Sequence, residues 1–296
     1  MTAQHLYYLF QCFFIYAFLG WCTEVAFAAF KERRFVNRGF LNGPICPVYG
    51  FGVVAVIHFL TPLRSNLLLL YLGSAILVTA IEWLTGFILE KVFHNKWWDY
   101  SNMPLNLNGY VCLLFSLIWG VFCVFIVDVF HPLIDTLLSH IPFLVGIILV
   151  CILVIAGLAD LYVTASGILK LNKRLEKMQA IADELHQISD KLGESIYKRT
   201  ITAMEKQEEF KDTVSEKQEE FKSAISEKQE ADTLADVSDE VKERIALLRR
   251  SYLENVKATS HMQKRIMKAF PKMQSRNYKE SFEDLRNKLK EMSLKK

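Results

Sequence analysis

The chain has 296 residues, 52% of them hydrophobic, and a formal net charge of +3, but these averages hide two different parts. Residues 1–169 are strongly apolar, whereas most of the charge lies beyond residue 170. This division excludes a single soluble globular domain, and so small a net charge gives no argument for nucleic-acid binding. We predict an all-α protein with a transmembrane domain over residues 1–169, followed by a long helical tail.

Five apolar segments approach or exceed the roughly 20 residues needed to span a hydrocarbon layer about 30 Å thick. The second of them is the shortest. The segments are residues 6–30, 47–63, 66–93, 109–130 and 141–169.

Lysine and arginine are concentrated after the first, third and fifth segments, whereas the connections after the second and fourth hold one arginine and none. Short cytoplasmic loops carry the excess of these residues. The pattern therefore predicts five spans, with the N-terminus outside and the C-terminus in the cytoplasm.

A phrase from the first two segments returns in the next two, shifted by 66 residues. The matches fall on polar residues and glycines, so shared hydrophobicity does not explain them. We predict a five-helix bundle of two parallel two-helix repeats, about residues 6–63 and 66–130, plus a fifth helix over 141–169. The seven identical positions are Gly20, Glu24, Phe27, Leu41, Asn42, Gly43 and Cys46, matched by Gly86, Glu90, Phe93, Leu107, Asn108, Gly109 and Cys112.

Each repeat carries a glycine and a glutamate one helical turn apart, Gly20 with Glu24 and Gly86 with Glu90, so each pair shares a helix face. Glycine lets a neighbouring helix approach closely, which places the glutamate in a seam between helices. A carboxylate in hydrocarbon is unstable unless it is paired, hydrated or protonated. The two glutamates are therefore candidates for a polar site.

Two further acids extend this group. Glu82 lies on the same face of the third helix as Glu90, about 12 Å higher at 1.5 Å per residue, and Asp160 of the fifth helix lies at a depth comparable with Glu24. Three or four acids are expected in the inner half of the bundle. The alternative is that Glu24 and Glu90 reach the cytoplasmic surface and pair with Arg34, Arg38 or Lys91 there.

The repeated Leu-Asn-Gly phrase precedes the second and fourth helices. Asn42 and Asn108 are predicted N-caps, because an asparagine oxygen can accept an unpaired backbone N–H, and Pro44 with Pro47 suits a first helical turn. Residues 39–52 therefore resemble an interrupted helix start whose N–H groups favour an anion. A tight corner between helices is the alternative interpretation.

The loop over residues 95–104 combines tryptophan, tyrosine and polar residues, among them Trp98 and Asp99, and Asn106 follows it. Aromatic clusters of this kind are typical of the membrane surface. A ligand lid or gate is the alternative.

Beyond residue 170 the sequence indicates long helices. Apolar residues recur at heptad spacing between residues 171 and 196, and an 11-residue repeat follows between residues 205 and 230. Both periods are typical of supercoiled helices. We predict a cytoplasmic coiled-coil rod over residues 170–270 and a basic helical C-terminus over residues 271–296 that is able to touch anionic lipid.

Four phrases of the membrane domain carry a family resemblance. They are Gly20-Trp21-x-x-Glu24, Asn42-Gly43-Pro44-x-x-Pro47-x-Tyr49, Glu82-Trp83-x-x-Gly86 and Trp97-Trp98-Asp99-Tyr100-Ser101. Together they are similar to the CmpB-type family of bacterial membrane proteins, classed as ABC transporter type IV. The resemblance implies a bacterial plasma-membrane location and a permease-like role. The chain has no G-x-x-x-x-G-K-[ST] phosphate loop, so a permease requires a partner ATPase subunit, a homo-oligomer or transport without ATP.

The favoured function is a permease-like protein whose polar, acid-lined site opens to the cytoplasm and binds or passes a small solute or ion. One alternative is a membrane-anchored sensor or scaffold that signals through its coiled coil. A second is an enzyme that acts on inner-leaflet lipid with Cys46 as nucleophile. Because the sequence indicates no Cys–His or Ser–His pair, we favour the non-enzymatic interpretations. The candidate site residues are Glu24, Arg38, Asn42, Pro44, Cys46, Tyr49, Glu82, Glu90, Trp98, Asp99, Asn106, Asn108 and Asp160.

The expected partners are the lipid bilayer, a coiled-coil partner, and either a second copy of the chain or another membrane or ATPase subunit. Nucleic acid is not expected as a partner. The six cysteines form no C-x-x-C pattern, so neither disulfides nor a zinc site is predicted. No metal or cofactor is expected.

Overall fold

The computed structural model describes residues 2–211 and 239–294, and these residues are mostly helical. The elements in chain order are α1 (Ala3–Glu32), α2 (Pro47–Leu60) with a 3₁₀ turn (Thr61–Leu63), α3 (Leu67–Phe93), β1 (Asn95–Lys96), β2 (Asn106–Leu107), β3 (Val111–Cys112), α4 (Leu113–Phe125), a π-helical turn (Ile126–Phe130), α5 (His131–Ser139), α6 (Phe143–Lys211), α7 (Asp239–Lys257), α8 (His261–Ala269), β4 (Gln274–Ser275) and α9 (Lys279–Leu294).

Apolar helices dominate the first part of the chain. Within the described residues, four helical stretches are long and apolar enough to cross a membrane, and a fifth is apolar but shorter. The shorter one is Pro47–Leu63, which matches the weakest of the predicted spans. The four longer ones are Ala3–Glu32, Leu67–Phe93, Leu113–Ser139 and Phe143–Ser195.

The helix starts agree with the prediction only in part. The fourth apolar helix begins at Leu113, four residues later than expected, because Val111–Cys112 pairs as a strand with Asn106–Leu107. Helix α2 begins at Pro47, which occupies the first helical turn as predicted. Of the interrupted start expected over residues 39–52, only the part before Pro47 is non-helical.

Helix α2 lies in the middle of the apolar packing. Val53 and Ile57 belong to a buried cluster with residues of α1 and α5. Val56, on another face of α2, belongs to a second cluster with residues of α3 and α4. Since α2 contributes to both clusters, a helix too short for an unsupported span is enclosed by its neighbours.

The loops over residues 33–46 and 94–112 meet at one end of the helices, which we call the acidic end. The rings of Phe40 and Trp97, one from each loop, lie 5.0 Å apart. At the opposite end Arg64 Nε lies 2.9 Å from Asp128 Oδ1. The acidic end is the one that holds the candidate site.

Contacts divide the chain into two compact units. One contains the residues up to 173 together with those from 259 onward, and the other contains residues 174–258. In the first unit β1 pairs with β4, so that Asn95 lies opposite Ser275. The C-terminal segment, residues 259–294, is therefore packed on the loops of the membrane domain.

The second unit contains the later part of α6 and helix α7. Arg244 Nη2 lies 2.6 Å from Glu184 Oε1 and joins the two helices. Most of the 11-residue repeat expected between residues 205 and 230 lies outside the described residues.

The packing of α1 on α2 generates a first prediction. A methyl group on Gly50 would lie 2.8 Å from the Phe13 carbonyl oxygen, whereas one on Gly52 would have no neighbour within 4 Å. We expect Gly50→Ala to lower the free energy of unfolding by about 1–3 kcal/mol, as overpacking does. Gly52→Ala should leave it unchanged or raise it, because alanine favours a helix. Thermal unfolding in detergent micelles, followed by circular dichroism, compares the two variants. Equal losses of stability in both would contradict the packing of α1 on α2.

Candidate functional site

The first cluster of the acidic end surrounds Glu24 on α1. Arg38 Nε donates to Glu24 Oε2 at 3.0 Å, and the Tyr49 hydroxyl donates to Oε1 at 2.7 Å. One turn earlier, Gly20 faces the Tyr49 ring so closely that a methyl group there would clash. The glycine therefore admits α2, and the glutamate beside it lies in the α1–α2 seam, paired with Arg38 from the following loop.

The second cluster surrounds Glu90 on α3. The Tyr110 hydroxyl donates to Glu90 Oε2 at 2.8 Å, and Arg276 Nη1 forms an ion pair with Oε1. Gly86, one turn earlier, lies against the rings of Tyr110 and Trp98. The second glutamate thus has the same types of partner as the first. Its arginine comes from 186 residues further along the chain, so no local sequence signal pointed to it.

The first Leu-Asn-Gly phrase, residues 41–43, binds Asp160 of α6. The backbone N–H groups of Asn42 and Gly43 donate to the two carboxylate oxygens at 3.1 and 2.7 Å. The Asn42 amide adds a bond of 2.7 Å, and Thr164 Oγ1 one of 3.2 Å. The N–H groups that were expected to attract an anion therefore already bind a carboxylate of the chain itself.

The prediction that Asn42 and Asn108 are N-caps is wrong. The N-cap residues of α2 and α4 are Cys46 and Cys112, and neither side chain makes a capping hydrogen bond. Asparagine can serve several backbone roles at comparable energy. In this fold the available partners determine the role of each asparagine, and Asn42 binds Asp160.

Asn108 forms a turn instead. Asn108 and Gly109 have φ values of 56° and 71°, and Tyr110 N–H donates to the Leu107 carbonyl at 3.0 Å. Positive φ at both central residues is the mark of a type I′ turn, which favours the Asn-Gly pair. Asn106 stabilises the same loop, since its Oδ1 accepts from Gly109 N–H at 3.1 Å.

The polar residues of the loop over 95–104 hold that loop in place. Asp99 Oδ1 accepts from the Ser101 N–H at 2.9 Å and lies 2.8 Å from Lys96 Nζ. Partial burial alone would raise the pKa of Asp99, but its hydrogen bonds with Lys96 and Ser101 lower that pKa to about 2. Trp98 Nε1 donates to the Tyr110 carbonyl at 2.8 Å. The structure places neither Asp99 nor Trp98 beside Glu24.

Glu82 differs from the other acids. Among residues 2–211 and 239–294, its carboxylate has no hydrogen-bond or ion-pair partner. The hydroxyls of Tyr49 and Tyr100 are within the range of its charge, although neither donates a hydrogen bond to it in the described structure. Burial first, and the charge of Glu82 second, raise the pKa of Tyr100. One turn before Glu82 on α3, Thr79 Oγ1 is buried and has no hydrogen-bond partner in the described part of the chain.

Cys46 and Pro44 contribute no reactive group. Cys46 is buried, and that burial, with the nearby Glu24 charge, raises the pKa of its thiol to about 12 although Arg38 and Arg265 oppose the shift. A thiol that stays protonated at neutral pH is a poor nucleophile. Pro44 is exposed in the loop before it. In the part of the chain that the structure describes, no group of three or more His, Cys, Asp or Glu could hold a metal ion.

The acidic end therefore brings together some of the predicted residues in three groups. Glu24, Arg38 and Tyr49 form the first. Asn42 and Asp160 form the second. Glu90 belongs to the third with Arg276, which was not predicted.

A family model described as Putative ABC-transporter type IV, ABC_trans_CmpB, matches residues 11–165. The chain belongs to this family. The match confirms the resemblance seen in the four sequence phrases. With its apolar helices, it identifies the CmpB-family chain as a membrane protein in contact with the lipid bilayer.

The matched residues of this CmpB-family chain include Glu24, Glu82, Glu90 and Asp160 but end before Arg276. No curated protein and no solved structure matches the chain.

The contacts of Asp160 generate a second prediction. Asp160→Asn removes the charge and directs an NH₂ group at backbone N–H donors, so we expect the loop over residues 33–46 to be weakened by about 1–3 kcal/mol. Trypsin should then cleave at Arg38 faster, with fragments identified by mass spectrometry. Asp190→Asn, at an exposed position on the same helix, is the matched control. Equal cleavage rates in both variants would show that Asp160 does not hold the loop.

Proposed function

We propose that this CmpB-family protein is a permease-like membrane protein that binds a cation, a proton or a cationic solute at Glu82 and passes it across the bilayer. The single observation that carries this proposal is the lack of a counter-charge for Glu82 among the described residues. The other candidate residues position the helices and loops around it.

The charge balance of the four acids supports the proposal. Glu24 is paired with Arg38, and Glu90 with Arg276. Asp160 is bound by two backbone N–H groups and an amide. Of the four acids, Glu82 alone has neither a counter-charge nor a hydrogen-bond donor among the described residues, and it lies in a membrane-spanning helix, where an uncompensated acid is unstable and by default indicates function.

The surroundings of Glu82 suit a positively charged ligand. Thr79 Oγ1 offers an unpaired oxygen one turn away, and on a helix residues three apart are neighbours. The Tyr49 ring lies 5.8 Å from that of Trp119, and the Tyr100 ring lies 5.0 Å from that of Phe115. Hydroxyl oxygens and ring faces both attract cations. An anionic ligand is disfavoured, since the N–H groups of the first loop are bound to Asp160.

The topology belongs to the same proposal. Helices α1–α2 and α3–α4 form two parallel repeats, α6 is the fifth span, and the chain crosses the bacterial plasma membrane five times with the N-terminus outside. The lysines and arginines of residues 31–38 then place the acidic end, and the opening of the site, in the cytoplasm. The two glutamate clusters, each with a glycine one turn earlier, a tyrosine and an arginine, support the duplication.

Transport by so few helices requires a partner. Because the sequence has no phosphate loop for ATP, we propose that a second copy of the chain completes the pathway and that the ion moves without ATP. Beyond the membrane domain, we propose a cytoplasmic coiled-coil rod over residues 174–258. Residues 259–270, which the sequence prediction assigned to the rod, instead pack on the acidic end together with the start of the basic C-terminal region predicted over 271–296.

A sensor or scaffold is the second candidate function. It is favoured by the length of α6, which runs from Phe143 to Lys211 as one helix of 69 residues. In this alternative a coiled-coil partner would bind the rod, and no solute would need to cross.

Flux measurements test the proposal. The purified full-length chain in liposomes should take up at least one of five probes, namely protons, sodium, potassium, magnesium or tetramethylammonium. Glu82→Gln keeps the size of the side chain but removes its charge, so uptake should fall to the level of empty liposomes. Glu280→Gln, at an exposed position on α9, is the matched control and should behave as the wild type.

Two outcomes would count against the permease function. One is that the wild-type chain moves none of the five probes, which favours the sensor or scaffold. The other is uptake that persists unchanged in Glu82→Gln, which would remove Glu82 from the pathway.

A further inference from the structure

The two glutamate clusters differ in where their arginines come from. Glu24 obtains Arg38 from the loop that directly follows α1, so this pair is local to the first repeat. Glu90 obtains Arg276 from the C-terminal segment, residues 259–294. The second pair therefore exists only while that segment is docked on the membrane domain.

Main-chain bonds align the segment with the second loop. Arg276 N–H donates to the His94 carbonyl at 2.9 Å, and β4 pairs with β1 in the register that sets Gln274 opposite Lys96. The Phe270 ring lies 5.0 Å from the Trp97 ring, edge to face. These contacts carry Arg276 to Glu90.

A second arginine of the segment binds the first loop. Arg265 Nη1 donates to the Gly39 carbonyl at 2.8 Å, and Nη2 donates to the Phe40 carbonyl at 3.1 Å. Gln263 Nε2 donates to the Gly167 carbonyl of α6 at 2.9 Å. The segment therefore bonds to both loops of the acidic end and to α6 at once.

Exposure makes the Arg276–Glu90 pair asymmetric. The Arg276 side chain is 65% exposed, whereas that of Glu90 is 9% exposed. Arg276 can leave for water with little change in its hydration, but its departure leaves a buried carboxylate without a counter-charge. A buried charge that loses its partner is strongly destabilised and takes up a proton or another cation.

We propose that the C-terminal segment is a releasable lock on the acidic end, with Arg276 as a tethered cation that occupies Glu90 while the lock is closed. When the segment is docked, the two loops are joined and Glu90 is neutral within its pair. When it is released, the loops separate and Glu90 becomes a second acceptor for the cation of Glu82. This inference rests on the proposed function.

The lock can be fixed and weakened in the full-length chain. Residues 96 and 274 lie opposite each other in an antiparallel pair, where side chains are close enough for a disulfide. In Lys96→Cys/Gln274→Cys, oxidation should reduce uptake of the probe cation by about tenfold, and reductant should restore it. Arg276→Gln should raise uptake above wild type. The controls are the two single-cysteine variants under oxidant and Lys272→Gln, an exposed position in the same segment.

A measurement that needs no flux separates this proposal from the previous one. In hydrogen–deuterium exchange, Arg276→Gln should accelerate exchange in residues 94–112 and 259–294, while residues 113–139 keep the wild-type rate. Unchanged exchange in Arg276→Gln overturns the lock whether or not ions move, and so does uptake that is measurable but equal in the oxidised and reduced double-cysteine chain. Faster exchange without uptake of any probe in any variant supports the lock and contradicts only the permease.

Discussion

The structure depends on one constraint: a carboxylate close to the hydrocarbon layer needs a partner. At the acidic end this need is met in three different ways. Arg38 pairs with Glu24, the first loop wraps its N–H groups around Asp160, and Arg276 reaches Glu90 from the C-terminal segment. Because each partner lies outside the helix that carries the acid, neutralising the acids also folds the loops and docks the segment.

Glycine provides the space that these pairs require. Gly20 admits the Tyr49 ring and Gly86 admits the Tyr110 ring, and each tyrosine hydroxyl then reaches the glutamate one turn further along. Packing between helices in a membrane relies on close contact, since lipid is as apolar as a leucine side chain. The same close approach therefore holds the helices together and positions the polar groups around Glu24 and Glu90. Glu82 has no such partner and is the acid whose charge the described fold does not balance.

Local patterns in the sequence predicted the glycine–glutamate faces, the short second helix and the Glu24–Arg38 alternative, because these contacts lie within one or two elements. The Glu90–Arg276 pair was missed, since only tertiary folding brings the C-terminal segment to the loops. The roles of Asn42 and Asn108 were wrong for a related reason: asparagine suits a cap, a turn or a carboxylate contact, and distant residues such as Asp160 select among them.

Selective chemical labelling tests the central claim, that Glu82 is the unbalanced acid, most directly. A hydrophobic carbodiimide reacts with carboxyl groups that carry a proton in apolar surroundings, and ion-paired or fully hydrogen-bonded carboxylates resist it. After treatment of the full-length chain in lipid, mass spectrometry should find the adduct on Glu82, with Glu24, Glu90 and Asp160 unmodified. Labelling of those three acids with Glu82 left unmodified would contradict the account.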